Sequence, residues 1–558
     1  VEVHVDNQYA VVLGAPMSYI RKLSARTSYF VEGHEHVSAF KAHRWDGKER
    51  LLKAIPARSG GGYRAPVGLV TDIRELAKEL GEKIRWRDHR RPMHPPIITA
   101  WNPAWKGRDY QVAATDAVVA DRGLATGKCL VRVATRGGKT VIASLIIDRI
   151  KRRSLFLVTS DLLLNQTHRL FSDVLGVPIG RIGGGAWDVR DVTVASVQSI
   201  ARNMEDMRPR IRRAKRRARQ ALTSIPPVAD ESELDLLIAK AKRSLVSNMY
   251  QPASWTKMTN ARGIWTIDAK AQIIPVSKRI ERERHKLERT TALFGHFDVV
   301  FFDEVHHLEG ERWRQVLEAL DAQHKIGLSA TIWTEDESGG YPTGSIWVRA
   351  TTGPIVYDLD VNRLIDMGFL VRPSVQLIKV PKAPEVNGVY NEARSQGIIK
   401  HEWRNNRIVA EVRRLAGEGI KSLVVVQELA HVSLLVEMME GADIRVGKVI
   451  GQTSTKRREA IIESYIAGEL DVIIGTVFGE GVDIPAIQAV LNAEGGASRK
   501  ACLQRNRQLT PIPGVPIAEQ RAILIDFMDL HNKYLADHSL ERIRLYREQG
   551  AFDIEVVS

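Results

Sequence analysis

Short apolar runs separated by amphipathic helical stretches recur through most of this chain. In the first half they fall at Cys129–Ala134, Leu155–Thr159, Val192–Val197, Val299–Phe302 and Ile326–Leu328. Runs this short, with no polar alternation, fit strands covered on both faces, and strands that alternate with helices form a parallel sheet. The rhythm resumes after residue 372 with Ser422–Val426, Val472–Ile474, Ala489–Leu491 and Ala522–Ile525, which predicts a second α/β lobe over 373–558. Residues 1–97 follow a different pattern. Strand-like Val1–Val5 and Ala10–Leu13, a Trp45-Asp46-Gly47-Lys48 turn and a helix over Thr71–Leu80 ending at Gly81 predict a small mixed domain of helix and sheet. Arg91-Pro92-Met93-His94-Pro95-Pro96 then reads as a linker, because proline lacks an amide donor and restricts the residue before it.

One stretch interrupts the first lobe. Between the strands at Val192 and Val299, residues 202–296 hold 21 Lys or Arg against 10 Asp or Glu. Arg212–Arg219 and Lys278–Arg284 have helix-forming composition with little apolar face, so a basic helical insertion is expected there. Such a run is either a solvated arm or a contact for a polyanion, and the one-signed excess favours contact. The whole chain of 558 residues carries a formal net charge of +15, which points the same way. Its length calls for three or four domains. Cys129 and Cys502 are too far apart in sequence to mark a zinc site or a disulfide framework. No apolar run approaches the roughly eighteen residues of a membrane span, and Val1–Gly14 lacks the features of a secretory signal, so a cytoplasmic protein with no membrane contact is expected.

The strongest chemical signal is Ala134-Thr135-Arg136-Gly137-Gly138-Lys139-Thr140, set between an apolar strand and the apolar helix Val141–Ile150. Backbone amides of such a loop and of the helix amino end bind phosphate oxygens; Lys139 adds positive charge, and the Thr140 hydroxyl is a magnesium ligand. Val133 stands where the usual pattern has its first glycine. A second signal supports the first. Phe297-Asp298-Val299-Val300-Phe301-Phe302-Asp303-Glu304-Val305-His306-His307 is an apolar strand ending in two acids, which places them at the carboxyl edge of a sheet, where ligands bind. There Asp303 suits magnesium, held through water, and Glu304 suits the orientation or deprotonation of an attacking water.

With Ser329-Ala330-Thr331 following, the order and spacing of these motifs resemble superfamily 2 helicases of the DExH branch, nearest to phage UvsW-like recombination helicases and next to XPB-like helicases. The resemblance implies two tandem RecA-like lobes, 98–350 and 373–558, joined by a connection over 351–372 that includes Gly353–Tyr357 and Leu364–Pro373. Residues 1–97, with Arg44–Lys48 and Pro66–Leu69, resemble the small DNA-binding domain that precedes such motors. ATP and magnesium are the implied cofactors. Arg108-Asp109-Tyr110-Gln111 resembles the adenine-reading segment, with Arg108 and Gln111 at the nucleotide beside Thr135 to Thr140. His306, Ser329 and Thr331 would couple hydrolysis to movement. Thr159 and Ser160, Ser196 and Gln198, and in the second lobe Gln427 and Thr476 would grip the DNA backbone. Gly475–Pro485 resembles the motif bridging nucleotide and nucleic acid, with Gly481 and Asp483 facing the nucleotide.

The arginine-finger helix of the family departs from its pattern here. Gln504-Arg505-Asn506-Arg507-Gln508-Leu509-Thr510-Pro511 lacks the glycine, with Gln508 at the usual finger position. A one-residue contraction makes Arg507 the finger; otherwise Arg505 or Arg507 reaches from another angle, or hydrolysis is weak. As a whole the resemblance implies an ATP-dependent DNA helicase or translocase that unwinds or branch-migrates branched DNA. It acts as a monomer, alongside recombination proteins of a phage or its host. The alternatives are a duplex translocase that does not separate strands and an ATP-gated DNA-binding module with little hydrolysis.

Overall fold

In the computed structural model the apolar runs of the first lobe lie side by side in one eight-stranded sheet. The structure describes residues 1–31, 34–120, 127–204, 225–247, 250–252, 256–268, 273–275, 277–330, 345–382, 386, 388–476, 487–496, 511, 515–548, 550 and 552–557. The strand order is Ala186–Asp188, Ile179–Gly183, Val192–Ser196, Ser154–Val158, Val299–Asp303, His324–Ser329, Lys128–Val133 and Ile355–Leu359. Every pairing is parallel except the hairpin at the Ala186–Asp188 edge. The central strands are buried along their whole length, as runs covered on both faces should be. Phe156, Phe301, Val131 and Leu328 pack with Ile142, Ile146 and Ile147 of the helix Lys139–Ile150 in the core of this lobe.

One expectation needs correction here. Ile355–Leu359, assigned to the inter-lobe connection 351–372, is the far edge strand of the first sheet and pairs with Lys128–Val133. Most of its residues are only half buried, so it lacks the uniformly apolar character of a central strand. The helix Val361–Asp366, capped by the Asp360 carboxylate accepting from Arg363 N at 2.9 Å, follows it. The proline-rich linker has no regular structure, yet it is fastened to the sheet's amino edge. The Asp298 carboxylate accepts from His94 N at 3.1 Å, and Arg91 Nη2 donates to the Phe297 carbonyl at 3.1 Å.

The second lobe is a seven-stranded, wholly parallel sheet in the order Val446–Val449, Val472–Gly475, Ser422–Val425, Ala489–Asn492, Ala522–Met528, Pro373–Lys379 and Asp553–Val557. Its two faces carry separate apolar clusters, one around Leu423, Ile473 and Leu524, the other around Val424, Ile474 and Ile525. That division follows from strand alternation, since neighbouring residues point to opposite faces.

The amino-terminal domain has a five-stranded sheet, Lys53–Ala54, Tyr63–Pro66, Tyr9–Leu13, Glu2–Val5 and Arg85–Asp88, with a two-stranded ribbon of Ser28–Phe30 and Lys48–Arg50. Helices Met17–Arg26 and Val70–Glu79 cover it, burying Tyr19, Leu23, Ile73 and Leu76. Trp45 is half-buried, and its Nε1 donates to the Lys48 carbonyl at 2.9 Å, bracing the turn as a hairpin support. Its core also takes in Ile346 and Ala350 from the helix Ser345–Thr352, far along the chain.

Residues 197–296 with 315–320 form a second compact unit. The helices Glu231–Ser247 and Ser277–Phe294 bear out part of the expected helical insertion, but two antiparallel ribbons stand beside them: Tyr250–Pro252 with Ile273–Pro275, and Thr256–Thr259 with Trp265–Asp268. Thr256–Thr259 is exposed throughout, so no apolar alternation betrayed it; the turn chemistry did the work instead. Asn260 Oδ1 accepts from Arg262 N and Ile264 N at 2.9 and 3.1 Å, and Gly263 takes a left-handed φ of 73°. Lys257 pairs with Glu231 and Asp235, tying that ribbon to the first helix. The run Arg212–Arg219 lies outside the described residues.

Candidate active site

Three neighbouring strands of the first sheet, Val299–Asp303, His324–Ser329 and Lys128–Val133, deliver their carboxyl ends to one place. From them come Glu304, Ser329 and the loop that leads to Lys139. The loop turns through two left-handed residues, Arg136 at φ 67° and Gly138 at φ 73°, and Gly138 caps the helix Lys139–Ile150. A Cβ on Gly138 would run into the Gln111 amide, and one on Gly137 into Val133 Cγ1. Gly137 is therefore required by close approach and Gly138 by its φ.

Lys139 Nζ donates to Glu304 Oε1 at 2.9 Å, with both side chains about nine-tenths buried. Ser329 Oγ lies 3.5 Å from the other carboxylate oxygen of Glu304. Glu304 itself takes φ 51°, a left-handed conformation that is rare for a residue with a side chain. Its amide donates to Asp303 Oδ1 at 3.0 Å, so the backbone kink and the acid before it are one local arrangement. Thr135 lies in the turn of the loop and Thr140 is the second residue of the helix.

The segment expected to read adenine is bonded to the loop. Gln111 Nε2 and the Tyr110 hydroxyl both donate to the Gly137 carbonyl, at 3.2 and 3.1 Å, while Gln111 Oε1 accepts from Arg108 N at 3.0 Å. Gln111 is buried, and in this state its amide serves the loop. Arg108 stacks over the Phe369 ring at 4.5 Å, and Tyr110 meets the same ring edge-on.

The residues expected to grip DNA are placed individually. Ser160 Oγ accepts from Leu163 N at 3.3 Å, a helix cap on Asp161–Leu175; Thr159 directly precedes it. Ser196 ends its strand and is buried, and Gln198 is exposed on the helix Val197–Met204. Gln427 follows the Ser422–Val425 strand and accepts from Arg394 Nη2 at 2.9 Å; Thr476 follows Val472–Gly475 and donates its amide to the Val449 carbonyl. His306 lies in the short 3-10 turn Val305–Glu309, its side chain outside the described part. Thr331, Gly481, Asp483, Gln504 and Arg507 lie outside the described residues.

The family model for the type III restriction enzyme res subunit matches residues 104–333, and the helicase conserved C-terminal domain model matches residues 404–507. Two segments of the chain, together about three-fifths of its length, thus match these two domain families. It is 24% identical to Putative helicase 22 of a Sulfolobus islandicus filamentous virus over 40% of this chain and 42% of that protein. It is 23% identical to the DNA 3'-5' translocase XPB2 of Sulfurisphaera tokodaii over 46% of this chain and 63% of that protein. Among solved structures it is similar to T4 UvsW, at 17% identity and TM-score 0.37, covering 100% of this chain and 98% of that one. The chain spans about half the length of the curated relatives it matches. No helix among the described residues is long and apolar enough to cross a membrane.

Several further residues shape the site. Tyr110 and Phe369 pack together beside Arg108 and Gln111, and the aromatic next to Gln111 is the signal in the sequence that points to them. In the second lobe Arg404 is fully buried: Nε donates to Asp529 Oδ1 at 2.9 Å and Nη1 to the Ala493 carbonyl at 3.1 Å. Arg542 repeats the pattern, with Nε on Asp526 at 3.0 Å and Nη1 on the Gly495 carbonyl at 2.8 Å. The two arginines clamp the loop that leaves Ala489–Asn492 at the lobe's carboxyl edge. Beside them His431 Nε2 lies 2.9 Å from Asn405 Oδ1, and burial, then Arg404 and Arg394, push the imidazole down to about 3.

Proposed function

We propose that this helicase hydrolyses ATP to drive movement along, or remodelling of, branched or duplex DNA. The observation that carries the reading is the Lys139–Glu304 ion pair, 2.9 Å long, beside a glycine loop with no room for a Cβ. A lysine and a carboxylate so placed neutralise each other at rest. When nucleotide phosphates enter against the loop amides, Lys139 turns to them, and Glu304 is freed to orient the attacking water. The oxygen donors Thr140 and Asp303 suit magnesium, which when bound neutralises charge on the phosphate oxygens. Ser329, within reach of Glu304, registers the change and links it to the rest of the lobe. The second lobe would complete the site, with Arg507 as the finger and Gly481 and Asp483 at the nucleotide.

The net charge of +15 favours a phosphate backbone as partner, and relatives named as DNA translocases and DNA helicases favour DNA. Sequence-independent grip follows from hydroxyls and backbone amides touching phosphates, the task assigned to Thr159, Ser160, Ser196, Gln198, Gln427 and Thr476.

ATP turnover by the wild type and by Glu304→Gln, without nucleic acid and with single strand, linear duplex and four-way junction at fixed salt, tests the proposal. Junction-stimulated turnover that falls about 100-fold or more in the variant supports it. Wild-type turnover flat across all substrates overturns it in favour of an ATP-gated binder. Stimulation by linear duplex with no strand displacement selects a translocase.

A further inference from the structure

The helix Ser345–Thr352 is shared between two bodies. On one side it completes the core of the amino-terminal domain, where Ile346 and Ala350 are buried with Val67, Leu69 and Ile73. The approach is close: a Cβ on Gly68 would strike the carbonyl oxygens of Arg349 and Ala350. Arg349 pairs with the buried Asp72 at 2.8 Å, and Trp347 Nε1 donates to the Tyr29 hydroxyl at 2.8 Å. That hydroxyl donates in turn to Glu49 at 2.7 Å, so Trp347 bonds one strand of the Ser28–Phe30 and Lys48–Arg50 ribbon directly and reaches the other through Tyr29.

On its other side the same helix packs against Lys128–Val133, His324–Ser329 and the 3-10 turn Val305–Glu309. These elements lead to Lys139, end in Ser329 and follow Glu304, in that order. Arg314 sits over the Trp347 ring at 4.9 Å, and its neighbour Trp313 stacks on His307 at 5.3 Å with ring planes 17° apart. Contacts therefore run without a gap from the ribbon, through Tyr29 and Trp347, to the residues that follow Glu304. The outer side of the ribbon borders an open hollow of about 390 Å³ lined by Arg21, Ser24, Ser28, Asp46, Lys48 and Arg50. Asp46 is paired with Arg50, and Arg21, Lys48 and the two hydroxyls suit a nucleic-acid backbone phosphate.

We propose that Trp347 is a positioning residue through which DNA held by the amino-terminal domain accelerates ATP hydrolysis. A backbone phosphate in the hollow shifts the ribbon towards the helix Met17–Arg26, the Tyr29–Trp347 hydrogen bond carries that displacement into the helix Ser345–Thr352, and that helix resets the turn that follows Glu304. The inference rests on the motor reading above.

The test uses the full chain with Tyr29→Phe, Trp347→Phe and the double variant, reading turnover without DNA, maximal turnover with four-way junction, and the junction concentration at half-stimulation. Each single variant is expected to lower maximal stimulation about 5- to 10-fold. Turnover without DNA and the half-stimulating concentration stay at wild-type values, and the double variant is no worse than either single. Arg21→Ala with Lys48→Ala has the opposite signature, raising the half-stimulating concentration and leaving the maximum intact. Unchanged stimulation in both singles overturns the proposal; so does a double variant in which the two losses multiply, or a parallel fall in turnover without DNA. A wild type that DNA does not stimulate fails the motor reading itself, whereas a stimulated wild type with indifferent variants fails only the coupling.

Discussion

The two lobes each bring cations and carboxylates together at the carboxyl edge of a parallel sheet, but they hold them in different ways. In the first lobe Lys139 and Glu304 face each other at 2.9 Å with a little remaining exposure. In the second lobe Arg404 and Arg542 are sealed, each shared between an aspartate and backbone carbonyls. A lysine is a point charge on a flexible stem and gives up one partner for another readily; a buried guanidinium with its fork filled does not. The first arrangement suits exchange with a ligand. The second fixes a loop.

Substitutions that exchange these roles should break the comparison where it is strongest. Lys139→Met is expected to lower ATP turnover about 100-fold or more, measured by steady-state phosphate release, because the phosphates lose their cation while the fold keeps its glycine loop. Arg404→Met should leave Asp529 and the Ala493 carbonyl buried without their partner and cost about 3–5 kcal/mol of stability, seen as lost hydrogen-exchange protection in Ala489–Asn492 and Ala522–Met528. If Lys139→Met proves the more destabilising of the two, the contrast is wrong.

The smallest expected effect is on pH. His431 is held at about 3 when folded against about 6.5 when unfolded, so the folded state resists a proton that the unfolded chain accepts. The stabilisation is complete above about pH 6.5 and is lost as pH falls towards the folded value. Between pH 7.5 and 5.5 the loss is about 1.4 kcal/mol. Hydrogen exchange of the second-lobe strands should show it in the wild type and not in His431→Asn.

What could be read from the sequence follows the same physics. The central strands of both sheets are covered on both faces, and their uninterrupted apolar runs marked them to within three residues. Ile179–Gly183, Val446–Val449 and Asp553–Val557 escaped because strands at or near an edge need less apolar surface and carry glycine or charge. Lys139 and Glu304, which the fold brings to 2.9 Å, could be picked out because each stands in a short motif directly after a strand. Arg404, Asn405 and His431 were not: each is one polar residue within a helical pattern, and only the fold shows that three elements bury them together. Gln111 was found for its family role, while its bond to the Gly137 carbonyl became visible only once helix and loop were placed side by side.

The crowding of Val133 against Gly137 bears on how this loop can vary among descendants of the sequence. A branched side chain at 133 occupies the space that any side chain at 137 would need. A lineage that keeps valine there has glycine at 137 imposed on it, and alanine at 137 becomes acceptable only after 133 has shrunk. The two positions should change together and in that order. The residue standing in place of the expected first glycine is thus an inherited constraint, visible four positions downstream as a glycine that cannot drift.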